Sequence, residues 1–148
     1  MPIIDSLQDL VYKNEVPFVI WCYWEGEPMK NNRLLSFEYL VKNIAVPVFL
    51  VTPHSLPALI KEDYPLNHSY SSLSIVHRSD YIRAYLLHHY GGGWHDIKAT
   101  EVSFSEVWNE FEDPNIWIVG QPEIPNGAAK TYSDDGKYMP DFTEELIA

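Results

Sequence analysis

Three charged residues and a glycine run could form a polar site around one helix and the segment that follows it. Asp80 and Arg83 are three residues apart, so on a helix they share one face. The glycines at 91–93 let the backbone turn sharply and approach a ligand closely. Asp96 follows that turn on a predicted strand. Carboxylates accept hydrogen bonds and a guanidinium fork suits anionic oxygens, so the pattern predicts a site for a polar ligand.

The same residues also have purely structural interpretations. Asp80 and Arg83 could form a surface ion pair worth roughly 0.2–0.5 kcal/mol. The glycines could serve only to end the helix and make the turn. Trp94 fits the core as well as it fits a ligand contact, and Lys98 could point to solvent. Residue types alone leave these alternatives open.

Strand and helix patterns alternate along the chain and must position these residues. Continuous β-branched and aromatic residues predict buried strands over 16–24 and 46–52. Apolar residues at helical spacing predict helices over 29–43 and 72–90. Shorter elements are predicted as two helices, 56–62 and 105–111, and two strands, 94–100 and 116–120.

The helix predicted over 72–90 has clear end signals. Ser72 or Ser74 can cap its start, and Gly91 can end it in a left-handed conformation. The alternation of elements predicts an α/β fold with a largely parallel sheet. Ligands in such sheets lie beyond the carboxyl ends of the strands, so residues 21–25 and the strand at Asp96 are the expected site positions.

Length and composition indicate a single domain over residues 1–148. The net charge of −11 argues against general nucleic-acid binding, because that needs basic surface to neutralise phosphates. The longest apolar runs, such as 46–51, are far too short for a transmembrane segment. Cys22 is the only cysteine, so no internal disulfide can form, and a cytoplasmic setting is the simplest expectation.

Two sequence blocks together resemble a known group of enzymes. One is S-D-x-x-R at 79–83, followed within 90–98 by Y-G-G, an aromatic residue and an aspartate. The other is V-I-W-C-Y-W-E-G at 19–26. Over residues 17–123 the chain resembles the DXD-type sugar transferases of the GT-A fold, closest to the capsular polysaccharide synthesis proteins and the initiating-mannosyltransferase-like family. The resemblance implies a GT-A-like (Rossmann-like) nucleotide-sugar-binding sheet with flanking helices, lacking the C-terminal acceptor part.

This resemblance implies a nucleotide-sugar donor and a role for each matching residue. Trp21 would stack on the base. Asp80 would accept hydrogen bonds from sugar hydroxyls, and Arg83 would orient Asp80 or contact the sugar and diphosphate. Asp96 would bind the ribose or, through a divalent cation, the diphosphate. The implied catalytic residues are Asp80, Arg83 and Asp96, and the implied donor-binding residues are these three with Trp21, Tyr23, Gly92, Gly93, Trp94 and Lys98.

Lys98 stands where the motif has its second acid. An ammonium group cannot ligate Mg²⁺ or Mn²⁺, because these cations prefer oxygen ligands. Either Asp96 and the diphosphate hold the metal alone, or Lys98 supplies part of the metal's charge. Metal dependence therefore stays open, with Asp96 as the candidate ligand.

The implied reaction transfers a sugar to a glycan or polysaccharide acceptor with retention at the anomeric carbon, in capsular or surface polysaccharide synthesis. Negative charge builds on the leaving diphosphate, where Arg83, Lys98 and any metal would stabilise it. The resemblance implies a longer catalytic domain, so we expect a truncated, split or minimal version with an acidic tail over 124–148. The alternatives are a non-catalytic nucleotide- or carbohydrate-binding module and, from Asp80 and Asp96 alone, a glycoside hydrolase.

Overall fold

A computed structural model describes residues 3–120 and two short strands beyond them. The chain forms two compact units, Met1–Trp117 and Ile118–Ala148, and each is described by itself. In the second unit, Thr131–Tyr132 pairs antiparallel with Tyr138–Met139. The rest of the predicted acidic tail over 124–148, and residues 121–123 of the resemblance, lie outside the described residues.

The first unit is built around a parallel four-stranded sheet. In chain order, the strands of this unit are β1 (Ile3–Ile4), β2 (Tyr12–Lys13), β3 (Val16–Pro17), β4 (Ile20–Tyr23), β5 (Val48–Val51) and β6 (Gly93–Trp94). β2 and β3 form a separate hairpin, and the other four strands form the sheet. The sheet order is β1-β5-β4-β6, and every neighbouring pair is parallel. The predicted α/β fold is confirmed, and the sheet is compatible with a Rossmann-like, GT-A-type arrangement.

Two α-helices provide the crossover connections of the sheet. They are α1 (Asn31–Asn43), between β4 and β5, and α2 (Ile75–His89), between β5 and β6. Both long predicted helices are thus confirmed, and the two short ones form 3₁₀ turns at Leu56–Leu59 and Ser105–Glu112. Within residues 3–120, no helix is long and apolar enough to cross a membrane.

The sheet is buried on both faces, which explains the unbroken apolar sequence of β4. Trp21 and Tyr23 pack in one core cluster together with α2, including Leu86. Ile20 and Cys22 point the other way and pack in a second cluster with α1. Successive strand residues alternate between faces, so a strand covered on both sides needs apolar residues at every position.

The ends of α2 follow the predicted signals. Ser74, and not Ser72, is the N-cap, and its Oγ accepts a hydrogen bond from the His77 backbone N–H at 3.3 Å. At the other end Gly91 adopts φ +79, and its N–H donates to the Leu86 and Leu87 carbonyls. A left-handed residue at this position stops the helix and satisfies carbonyls of its last turn.

Gly92 and Gly93 allow β6 to lie against β4. A Cβ added at Gly93 would lie 2.6 Å from Ile20 Cδ1, and one added at Gly92 would lie 2.9 Å from Val19 Cγ1. The Gly93 N–H donates to the Val19 carbonyl at 2.8 Å, and the His95 N–H donates to the Trp21 carbonyl at 3.1 Å. The absence of side chains at the glycines therefore makes this parallel pairing possible.

Three strand predictions differ from the structure. The segment predicted over 16–24 divides into β3 and β4, because Val16–Pro17 pairs with Tyr12–Lys13 in a hairpin instead of joining the main sheet. The strand predicted over 94–100 ends at Trp94, where the Lys98 N–H turns back to the Asp96 carbonyl at 2.7 Å. The strand predicted over 116–120 is wrong, because that segment pairs with no strand and leaves Trp117 85% exposed.

Gly93→Ala should destabilise the first unit, because its added Cβ would collide with Ile20 at the β4–β6 contact. Overpacking of this kind costs about 1–3 kcal/mol of the free energy of unfolding. Urea unfolding followed by tryptophan fluorescence measures the loss. Gly120→Ala is the matched control, because no atom of residues 3–120 lies within 4 Å of its added Cβ. Equal stability of the two variants would contradict the close packing.

Candidate functional site

The candidate site lies at the carboxyl end of β4. The chain leaves β4 through α1 to reach β5 on one side, and it later crosses through α2 to reach β6 on the other side. In a parallel sheet, such a reversal of strand order opens a crevice beyond the carboxyl ends of the two adjacent strands, which here are β4 and β6. Residues after β4, after β6 and on the first turns of α2 border this region.

Asp80 and Arg83 form an ion pair on α2. Arg83 Nη2 lies 2.9 Å from Asp80 Oδ1, and the side chains are 44% and 52% exposed, respectively. Exposure of this degree makes the pair a weak source of stability. It also leaves the remaining guanidinium donors of Arg83 and the second carboxylate oxygen of Asp80 accessible to a ligand.

Asp96 is held in place by its own neighbours on the segment after β6. Trp94 Nε1 donates to Asp96 Oδ1 at 3.1 Å, and Lys98 Nζ lies 3.4 Å from Asp96 Oδ2. Arg33 of α1 fixes the next residue, because its Nη1 donates to the Ile97 carbonyl at 2.6 Å. The Asp96 carboxylate is therefore positioned by an indole, while half of its surface stays exposed.

Electrostatics connect Asp96 to the other charged residues. The hydrogen bond from Trp94 lowers the pKa of Asp96; partial burial opposes that effect, and the charges of Lys98 and Arg83 reinforce it. Arg83 is thus within electrostatic reach of Asp96. Burial, and then the negative charge of Asp96, raise the pKa of Cys22 to about 12. Asp80–Arg83 on α2 and Asp96–Lys98 after β6 thus form two ion pairs, and Arg83 acts electrostatically on Asp96. We call these four residues the charged cluster.

Trp21 does not lie at a ligand-facing surface, contrary to the role implied by the sequence resemblance. Its side chain is fully buried, and its Nε1 donates to the Gly91 carbonyl at 2.8 Å. Phe49 and Tyr90 pack against it with ring-centroid distances of 5.1 and 5.9 Å. A base cannot stack on a ring that is enclosed in this way, so the structure assigns Trp21 to the core.

The other predicted donor-binding residues divide between packing and the site. Gly92 and Gly93 lie against Val19 and Ile20, so their visible role is the close approach of β6 to β4. The Trp94 ring packs partly against the apolar core and orients Asp96. Lys98 is 70% exposed, and its ammonium group forms an ion pair with Asp96.

A cavity of about 530 Å³ opens beyond the carboxyl ends of β4 and β5, and Tyr23 lines it. Tyr23 Oη donates to Glu25 Oε2 at 2.7 Å, and Arg78 Nη1 lies 2.7 Å from Glu25 Oε1. Burial, followed by hydrogen bonding to Tyr70 and Glu25, raises the pKa of Tyr23, so the phenol stays protonated as a donor. The sequence indicated the end of β4 but missed the Glu25–Arg78 pair; Arg78, just before Asp80, carried no signal of its own.

The fit of the charged cluster to a divalent cation is limited. Of the two carboxylates in the charged cluster, Asp80 is paired with Arg83, and Asp96 has the Lys98 ammonium beside it. Within the described residues, no three His, Cys, Asp or Glu side chains group together as potential metal ligands. A cation here would need oxygen ligands from the substrate in addition to Asp96.

One known protein family matches the segment that contains the charged cluster. The family model described as capsular polysaccharide synthesis protein matches residues 54–134, more than half of the chain. No curated protein and no solved structure matches the chain. The matched range includes α2 and β6, and therefore the whole charged cluster.

Trp94→Phe should raise the pKa of Asp96 towards its ordinary value of 3.8, because it removes the hydrogen bond that lowers this pKa most. A lowered pKa stabilises the folded state above the unfolded-state pKa, and that stabilisation is lost as the pH falls through the lowered value. The variant should lose less stability on acidification than the parent protein.

Carbon-13 NMR titration of the aspartate carboxyl groups measures the change. Trp117→Phe is the control, because that indole donates to the Pro114 carbonyl and contacts no Asp96 atom, so it should leave Asp96 unchanged. An unaltered Asp96 titration in Trp94→Phe would show that the indole does not position the carboxylate.

Proposed function

The chain belongs to the capsular polysaccharide synthesis protein family, and from that premise we propose that it is a glycosyltransferase using a nucleotide-sugar donor. The acceptor in this proposal is a glycan or polysaccharide. The observation that supports it best is the charged cluster, in which Arg83 of α2, paired with Asp80, acts electrostatically on Asp96 of the segment after β6. Sugar transfer from such a donor needs cations that contact the diphosphate and carboxylates that contact the sugar hydroxyls within one site.

The two cations of the charged cluster suit the diphosphate. Transfer breaks the bond between the anomeric carbon and the diphosphate, so the leaving group gains negative charge. Arg83 offers a planar fork of donors, and Lys98 offers a mobile ammonium that is 70% exposed. Positioned cations stabilise the developing charge more in the transition state than in the ground state, and that difference accelerates the reaction.

The two carboxylates suit the sugar. Asp80 keeps one oxygen outside its contact with Arg83 and would accept hydrogen bonds from donor-sugar hydroxyls. Asp96, ionised through its lowered pKa, would accept from the ribose or sugar hydroxyls or ligate a cation. Retention at the anomeric carbon belongs to the proposal through the family resemblance, and no side chain of the cluster is assigned as general base.

A divalent cation stays part of the proposal only through Asp96. Mn²⁺ or Mg²⁺ would be held there together with diphosphate oxygens, and it would add positive charge at the leaving group. Lys98 would compensate for the missing second acid. A cytoplasmic setting also stays a prediction from the single cysteine.

Asp80→Asn and Asp96→Asn should each reduce donor turnover by about 100-fold or more, because misplacing a substrate group by about an ångström has effects of that size. Release of nucleoside diphosphate from a panel of nucleotide-sugars, with and without Mn²⁺, measures turnover. Both variants should stay folded under the assay conditions, because neither carboxylate is buried and exposed ion pairs contribute little to stability.

Asp9→Asn is the matched control, because this exposed aspartate lies on the 3₁₀ turn Leu7–Asp9 and is not part of the charged cluster. Full activity of either cluster variant would remove that residue from the mechanism. Tight nucleotide binding by the parent protein without turnover of any donor would favour the non-catalytic binding module. Cleavage of glycosides without nucleotide would favour a hydrolase.

A further inference from the structure

The cavity beyond β4 and β5 has walls suited to a flat ring. Its volume of about 530 Å³ lies within the range typical of small-molecule sites. Proline, leucine and tyrosine side chains form most of the lining, because Tyr23 is joined there by Pro53, Pro57, Pro65, Leu56, Leu66 and Tyr70. Such rigid apolar and aromatic surfaces offer contact area at low entropic cost, so they favour a planar ligand group.

The charges around this cavity balance. Glu25 and Glu62 carry two negative charges, and Lys61 and Arg78 carry two positive ones. Glu25 and Arg78 also neutralise each other directly, at 2.7 Å. A phosphate group would find no net positive field here, in contrast to the Arg83–Lys98 side of the charged cluster. The ligand group that fits the cavity is therefore uncharged.

One donor beside the cavity, Arg78 Nε, is without a hydrogen-bond acceptor among residues 3–120. Both carboxylate oxygens of Glu25 are engaged, Oε1 by Arg78 and Oε2 by Tyr23. Arg78 Nε is buried, and among residues 3–120 it has no hydrogen-bond partner, although the Arg78 side chain as a whole is 25% exposed. A buried N–H without an acceptor is costly. Although Nε itself does not face the cavity, Arg78 is part of its lining, and a small turn of the guanidinium would present a donor to an acceptor on a ligand.

We propose that this cavity binds the base of the donor nucleotide and that Arg78 donates a hydrogen bond to a carbonyl oxygen of that base. The inference rests on the proposed function and adds to it a base site where the buried Trp21 provides none. A base is flat and uncharged, as the walls and the charge balance require. Its attached diphosphate would lie outside the cavity, where the charged cluster supplies cations.

The free donor of Arg78 determines which bases fit. A keto oxygen accepts from the guanidinium, whereas an exocyclic amino group at the same place would oppose one donor with another. Glu25 is a poor acceptor for that amino group, because Arg78 and Tyr23 already contact both of its oxygens, and Glu62, the other carboxylate of the lining, is exposed to solvent. Uracil and hypoxanthine should therefore bind more tightly than adenine.

Calorimetry with uridine, inosine and adenosine tests this preference on the full chain. Inosine and adenosine form a matched pair, because hypoxanthine carries a keto oxygen where adenine carries an amino group. Inosine should bind about tenfold or more tightly than adenosine, as expected for one hydrogen bond to a charged group. Arg78→Gln replaces the guanidinium with an amide that can either donate or accept, so it should bring the ratio close to one.

Two further variants separate the base site from the charged cluster. Leu66→Trp should abolish nucleoside binding, because a larger ring at this half-buried position fills the cavity. Asp96→Asn should keep the inosine preference of the parent protein, because the base does not contact Asp96. Lys42→Gln, an exposed change on α1, is the control and should alter nothing.

Equal binding of inosine and adenosine by the parent protein, or no binding of any of the three nucleosides, would overturn the proposal without use of a variant. An unchanged ratio in Arg78→Gln would overturn the role of Arg78. These failures are distinct from failure of the proposed function, which is measured by loss of turnover in Asp80→Asn and Asp96→Asn.

Discussion

The parallel pairing of β6 (Gly93–Trp94) with β4 (Ile20–Tyr23) is the constraint on which the site depends. Two backbone hydrogen bonds, from Gly93 and His95, join β6 to the Val19–Trp21 segment. They form only because the glycines have no side chain to collide with β4. This pairing places Asp96 at the end of β4 and beside α2, so a backbone contact in the core decides where a surface carboxylate lies.

Stability and chemistry are separated in this molecule. The sheet and its helices are held together by two apolar clusters, one on each face. The Asp80–Arg83 and Asp96–Lys98 pairs are about half exposed or more, and exposed ion pairs contribute little to stability. Their side chains can therefore change partners when an anionic ligand arrives without loss of the fold. Such side chains suit transient contacts with a diphosphate.

Two neighbouring environments differ in the ligand groups that they suit. The charged cluster exposes Arg83 and Lys98 and suits oxygens that carry negative charge. The cavity next to Tyr23 has apolar walls and a neutral charge balance, and it suits an uncharged ring. In a nucleotide-sugar, the ribose links an uncharged base to a negatively charged diphosphate. The proposed donor thus matches the chemistry of both environments, where a simple sugar or a free phosphate would match only one.

Features that depend on near neighbours in the chain could be predicted from the sequence. The alternation of elements, the Ser74 cap, the Gly91 stop and the shared face of Asp80 and Arg83 are set by periodicity over a few residues. Only the tertiary structure decided the burial of Trp21, the missing strand at 116–120 and the Glu25–Arg78 contact. These depend on which distant segments meet, and the same apolar or charged residue type is compatible with core, surface or site until its neighbours are known.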